Sequence, residues 1–151
     1  MAKVAVTEEC VFHVSADVPQ TYEFFSKPQL FREAMEGVLR CEEIEKDQVH
    51  WLLQEQADQG VKFQADYTVQ YTCDGQQRIR WEFVDGNLRN EGEIRIAAGA
   101  EGGSEIHYRE TVEPDLPITP LLMMLVKPLV TRELRHGLKQ FVQRSQVRLS
   151  A

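Results

Sequence analysis

Glu110 is the residue in this chain whose neighbours best suit it to move a proton. In the run Ile106-His107-Tyr108-Arg109-Glu110-Thr111-Val112 it alternates with Tyr108 and Val112, so an extended backbone puts the three on one face. A carboxyl buried among aromatic and aliphatic side chains has its pKa pushed toward neutrality, where general acid–base chemistry operates. A nearby arginine would do the reverse and leave a fixed hydrogen-bond acceptor. Asn90 poses a related question, because it alternates with Leu88, Gly92, Ile94 and Ile96. A core built only for stability fills such positions with Val, Ile or Leu. Inward polar groups need partners, and the small residues Ala65 and Gly92 leave volume. Apolar walls carrying a few polar groups are what small-ligand sites are made of. Both polar residues also satisfy a plainer expectation, that they sit near strand ends and reach water.

The aromatic residues Trp51, Phe63, Tyr67, Trp81, Phe83 and Tyr108 fall on the apolar side of alternating runs. As core packing they need no function. Facing a cavity, their rings would stack on a flat ligand, and the tyrosine hydroxyls would orient it. Met123, Val126 and Val130 would add an aliphatic wall, methionine adapting to varied shapes. Other chemistries find little support. His13, His50, His107 and His136 lack metal-ligand spacing, so no metal is expected, and His107 alternates outward. There is no G-x-S-x-G elbow, and Gly99-Ala100-Glu101-Gly102-Gly103 lacks the Lys-Ser/Thr of a phosphate loop, so no cofactor is expected.

These side chains must be positioned by elements of two periods. Glu8–Val14 reads as a strand with Cys10, Phe12 and Val14 on one face. Asp17 and Pro19 then suit a helix start, a short helix carries Tyr22, Phe24 and Phe25, and Lys27-Pro28 breaks it. A second short helix carries Leu30, Phe31, Ala34 and Met35 and ends at Gly37. From Val38 to Val112 the period is two: Val38–Ile44, Val49–Gln56, one long strand from Val61 to Tyr71, then runs through Ile79, Trp81 and Phe83, through Leu88–Ile96 and through Ile106–Val112. Asp74-Gly75 and Asp85-Gly86-Asn87 are turn signals, and the short connections imply an antiparallel meander. After Pro114, Pro117 and Pro120, the spacing of Met123, Val126, Val130, Leu134, Leu138, Phe141 and Val142 predicts a helix of ~30 residues, on the order of 45 Å long. Pro128 is expected to kink it or split off its first turns. Leu121–Leu125 is apolar all round, so the small helices, a ligand, a membrane or a second subunit must cover part of it.

The 151 residues suit a single domain, 1–151. A net charge of −7 argues against nucleic acid, whose binding relies on Lys and Arg, and against an anionic membrane as the main docking site, leaving membrane contact at most transient. Arg132, Arg135, Lys139, Arg144 and Arg148 are expected to form a solvated helix face. Cys10, Cys41 and Cys73 are an odd, widely spaced set, read as small reduced core residues of a cytoplasmic protein. The longest apolar stretch, Leu121–Val130, falls short of the ~20 residues of a membrane span.

The order strand, two small helices, six strands, long helix resembles the START-like helix-grip superfamily, nearest its polyketide cyclase/dehydrase subgroup. The features that carry the resemblance are His50-Trp51, Ile79-Arg80-Trp81, Asn90-Glu91-Gly92, Glu113-Pro114, and Glu133-Leu134 through Leu138-Lys139-Gln140-Phe141, over about Glu8 to Arg148. The resemblance implies an α+β fold in which a curved antiparallel sheet of about seven strands wraps a long C-terminal helix. It also implies a cavity for an apolar ligand such as a lipid, quinone or aromatic compound. A cyclase, aromatase or dehydratase using Glu110 as acid or base is the alternative. Oligomeric state is left open.

Overall fold

The computed structural model describes residues 2–58 and 60–150. Ten strands and three α-helices follow in the order β1 (Ala2–Lys3), β2 (Val6–Val14), α1 (Val18–Ser26), α2 (Pro28–Phe31), β3 (Val38–Glu45), β4 (Gln48–Leu53), β5 (Gln56–Asp58), β6 (Val61–Phe63), β7 (Asp66–Asp74), β8 (Arg78–Gly86), β9 (Leu88–Ala98), β10 (Ser104–Leu116) and α3 (Pro120–Arg148). A 3-10 turn, Arg32–Ala34, continues α2.

Every ladder of the main sheet is antiparallel, in the order β1-β10-β9-β8-β7-β4-β3, with β2 also on β10. β1 and β2 are two pieces of one edge track: Ala2 and Lys3 pair with Leu116 and Asp115, and Val6–Val14 pair with Val112–Ser104. The sheet therefore has seven tracks, as expected, and its inner face wraps α3. Along β2, Val6, Phe12 and Val14 are buried while Val11 is exposed, so the strand's period resolves as two despite Val11 being apolar.

The long strand expected from Val61 to Tyr71 is two strands. Its partner run, expected from Val49 to Gln56, is interrupted as well, at Gln54 and Glu55. β4–β7 and β5–β6 thus form one long hairpin bent midway. At the bend the Leu53 amide donates to the Ala65 carbonyl at 3.0 Å and the Gln54 amide donates to the Gly37 carbonyl at 2.7 Å. The tip, β5–β6, is a separate two-stranded sheet. Alternation persists through such a bend, so periodicity does not reveal it.

Asp17 caps α1 by accepting from the Gln20 amide at 3.0 Å, with a proline in the first turn. Thr119 caps α3, accepting from the Leu122 amide at 3.3 Å. α3 continues through Pro128 as one element, so no turns are split off. Its C-terminal half lies on a solid core: Phe25, Phe31 and Phe141 stack with centroids 5.4–6.0 Å apart, over Ile79, Ile94 and Ile106. The basic residues of α3 do not form a free stripe. Arg135 pairs with Glu8 at 2.7 Å, Arg148 with Glu33 at 2.5 Å, Arg132 with Asp58 and His136 with Glu36, and Arg144 donates to the Met35 carbonyl. Of the cysteines, Cys41 is buried and Cys10 half-buried, but Cys73 is exposed, because it lies near the β7–β8 turn beyond the reach of the helix.

Candidate ligand site

Between sheet and helix lies a cavity of about 620 Å³. Its floor is the inner face of β4, β7, β8, β9 and β10: Trp51, Ala65, Tyr67, Val69, Tyr71, Trp81, Asn90, Tyr108, Glu110 and Val112. Its roof is the middle of α3, from Val126 to Phe141. Its exposed margin is made by Glu36, Gln54, Gln56 and Ala57 with Arg132, Glu133 and His136, so the mouth lies between α3, the β5–β6 tip and the loop after the 3-10 turn. The Arg132–Asp58 and His136–Glu36 pairs bridge that mouth.

The polar wall is ordered. The Trp81 indole N–H donates to Asn90 Oδ1 at 2.8 Å, and Asn90 Nδ2 donates to Glu110 Oε2 at 3.0 Å. The indole thereby fixes which end of the amide faces the carboxylate. Glu110 keeps some free surface, but that surface is cavity lining rather than protein exterior. Burial raises its pKa, and the Asn90 amide and Tyr108 hydroxyl oppose the rise by favouring the charged form. Burial likewise holds Tyr67, Tyr71 and Tyr108 well above the ordinary phenol value, with the Glu110 charge adding to the effect, so all three remain hydroxyl donors at neutral pH.

The cavity opens where the sheet's ladder parts. β8 and β9 pair only from Arg78↔Arg95 to Trp81↔Gly92; beyond that point β8 stays with β7 and β9 with β10. Gly92 marks the divergence. The sequence offers it as spare volume, yet a Cβ there would lie 2.2 Å from Trp81 Cζ2 and 2.6 Å from the Arg109 carbonyl oxygen. Its missing side chain makes room for the indole, not for a ligand. Ala65 does line the cavity.

Of the residues singled out from sequence, Trp51, Phe63, Tyr67, Trp81, Asn90, Tyr108, Glu110, Val126 and Val130 meet around this one space. Phe83 and Met123 do not. Phe83 lies past the divergence on β8, with the Arg89 guanidinium 5.8 Å over its ring. Met123 is buried in a second cluster with Leu116 and Val126. Sequence reasoning missed Tyr71, Phe31, Met35, Leu138 and Phe141 as lining residues. Tyr71 stood in the same alternation as Tyr67 and was legible there. The others come from helices, or in the case of Met35 from the residue after the 3-10 turn, whose facing depends on packing.

The chain matches the family described as polyketide cyclase / dehydrase and lipid transport over residues 1–146. It belongs to that family. Solved structures similar to this family member include a START superfamily protein from Mycobacterium smegmatis, 14% identical with a TM-score of 0.68, covering 97% of this chain and 96% of that one. A Deinococcus radiodurans protein is 17% identical with a TM-score of 0.66, over 95% and 99% of the two chains. The di-domain ARO/CYC StfQ from the steffimycin biosynthetic pathway is 14% identical with a TM-score of 0.62, over 95% of this chain and 50% of that one. At these identities the likeness is one of fold: START-like, helix-grip. No curated protein matches the sequence. No helix among the described residues is long and apolar enough to cross a membrane.

Proposed function

We propose that this protein binds, and carries through the cytoplasm, an apolar small molecule such as a lipid, a quinone or an aromatic compound. The observation that supports this best is the space itself: about 620 Å³ between sheet and helix, walled mostly by aromatic and aliphatic side chains. Burial of ligand surface drives binding at about 25 cal/mol per Å². The rings of Trp51, Trp81 and Tyr108 stack on flat ligands, and Asn90, Glu110 and the tyrosine hydroxyls orient them. The ligand enters between α3, the β5–β6 tip and the loop after the 3-10 turn. Native mass spectrometry of the gently purified protein is expected to show a retained apolar ligand, and lipids or quinones are expected to displace an environment-sensitive dye. Apo protein alone, with no displacement by any of them, would remove the proposal.

A second reading is favoured by one observation, a buried carboxyl with a raised pKa beside a tyrosine hydroxyl. A cyclase, aromatase or dehydratase would use Glu110 to take a proton from, or return one to, a folded polyketide-like chain. Under this reading Glu110→Gln binds the candidate polyketide but no longer turns it over. If the parent protein turns over no candidate, the carrier stands alone.

A further inference from the structure

The charges around the cavity are arranged unevenly. At the mouth, Arg132 is paired with Asp58 and His136 with Glu36, while Glu133 is exposed. On the deep wall Glu110 makes no ion pair among the described residues: its neighbours are the Asn90 amide and the hydroxyls of Tyr67, Tyr71 and Tyr108, while Glu8, opposite it on β2, is taken up by Arg135 at 2.7 Å. The part of α3 facing it supplies Leu134, Gly137, Leu138 and Phe141, none of them charged.

A carboxylate accepts as many as four hydrogen bonds, and Asn90 provides one at 3.0 Å. The amide cannot turn to present its oxygen instead, because the Trp81 N–H holds that oxygen at 2.8 Å. The wall is therefore set to receive positive charge next to Glu110. Aromatic rings line the same cavity: Trp81 packs against Tyr108 and Tyr71 with centroids 5.9 and 6.2 Å apart, so what these rings offer a ligand is their cavity-facing surface. An anionic head group would meet Glu110 while Arg135 and Arg132 are already engaged by Glu8 and Asp58.

We propose that the ligand of this cavity carries a protonated or methylated amine on an apolar body, its nitrogen held against Glu110 and its body against the cavity-facing surfaces of Trp81, Tyr108 and Tyr71. The proposal rests on the carrier reading and specifies its ligand class. Neither a fatty acid nor an uncharged alcohol makes the same contacts. The cation gives the Glu110 carboxylate a counterion inside the cavity.

The test is a charge series on one chain length: dodecylammonium, 1-dodecanol and dodecanoate, each below its micellar concentration, titrated at neutral pH into the parent protein and followed by tryptophan fluorescence and calorimetry. Dodecylammonium is expected to bind about tenfold more tightly than dodecanol, with dodecanoate the weakest. Glu110→Gln is expected to bring the ammonium down to the affinity of the alcohol, while the alcohol changes little. Dodecanol or dodecanoate binding the parent as tightly as the ammonium overturns the proposal. So does an ammonium preference that survives Glu110→Gln, since the overall negative charge of the protein then explains it. If none of the three binds, the carrier reading itself falls. If all three bind equally, that reading survives and only the cation is lost.

Discussion

The two ends of the space between sheet and helix are built from the same materials and come out differently. At the C-terminal end of α3, Phe12, Phe25, Phe31 and Phe141 interlock with Ile79, Ile94 and Ile106, and the last three are fully buried. Toward the middle of α3 the inner positions hold Ala65, Asn90 and Glu110, the β8–β9 ladder parts after Trp81, and the strands leave a cavity. Stability resides in the first end, where bulky apolar side chains dominate and the buried hydroxyls of Thr21 and Ser104 bond to each other. Binding resides in the second, where small and polar residues interrupt the filling and the hairpin bends over the opening. A fold of this kind divides the work along one helix instead of spreading it over the whole core.

Truncation should expose the contrast most strongly. Phe25 is 1% exposed and sits among Phe24, Phe31 and Phe141, so Phe25→Ala is expected to cost about 3–5 kcal/mol in urea unfolding. Val130 is half-buried and borders space that is already empty, so Val130→Ala should cost only about 1 kcal/mol. Equal losses at the two positions would show that the hollow end is filled in solution.

Gly92→Ala tests the seam between the ends. The new methyl must displace the indole of Trp81, at an expected cost of about 1–3 kcal/mol. Because the indole orients Asn90, the same variant should shift tryptophan fluorescence and weaken the Asn90–Glu110 hydrogen bond. Ala65→Leu sharpens the comparison from the other side by adding bulk inside the cavity. Stability is expected to change by less than about 1 kcal/mol, while affinity for any ligand that fills the space falls by about tenfold. An unaltered affinity would place the ligand elsewhere.

Arg132→Ala removes one tie between α3 and the β5–β6 tip. An ion pair this exposed contributes at most about 1 kcal/mol to stability, so the visible effect should be faster ligand entry and exit in stopped-flow measurements. The smallest effect expected is that of pH on Glu110. Its folded pKa is raised above the ordinary 4.5, so the folded state holds the proton more tightly than the unfolded chain. Its contribution is present below about pH 4.5 and is lost as pH rises through the folded pKa. Glu110→Gln should therefore be more stable than the parent at neutral pH, and the gap should close on acidification. Urea titrations across that range measure it.

Much of the fold was legible because its signals are local. Alternation through Tyr67–Tyr71, Ile79–Trp81 and Ile106–Val112 identified the inner face, and the three-to-four spacing after Pro120 identified α3. Asp17 and Thr119 cap their helices by reaching the amide three residues along the chain, an interaction that needs no tertiary partner. The break of the long hairpin at Gln64 and Ala65 was not legible, since a bend leaves the period intact. Nor was the role of Gly92, which depends on a ring from the neighbouring strand. Phe83 and Tyr71 occupy comparable positions in their alternations, yet only Tyr71 reaches the cavity, because Phe83 lies past the point where β8 parts from β9.

By itself, then, the order of residues determined which side chains alternate inward, where the helices begin, and that a carboxyl and an amide share the alternation of inward positions. Only the tertiary structure decided that this face is solid at one end and hollow at the other, that Trp81 turns Asn90 toward Glu110, and that Glu110 makes no ion pair among the described residues. The physical reason is reach. Facing and capping are fixed by covalent neighbours a few residues apart, whereas empty volume and unpaired charge are properties of what distant segments fail to bring together.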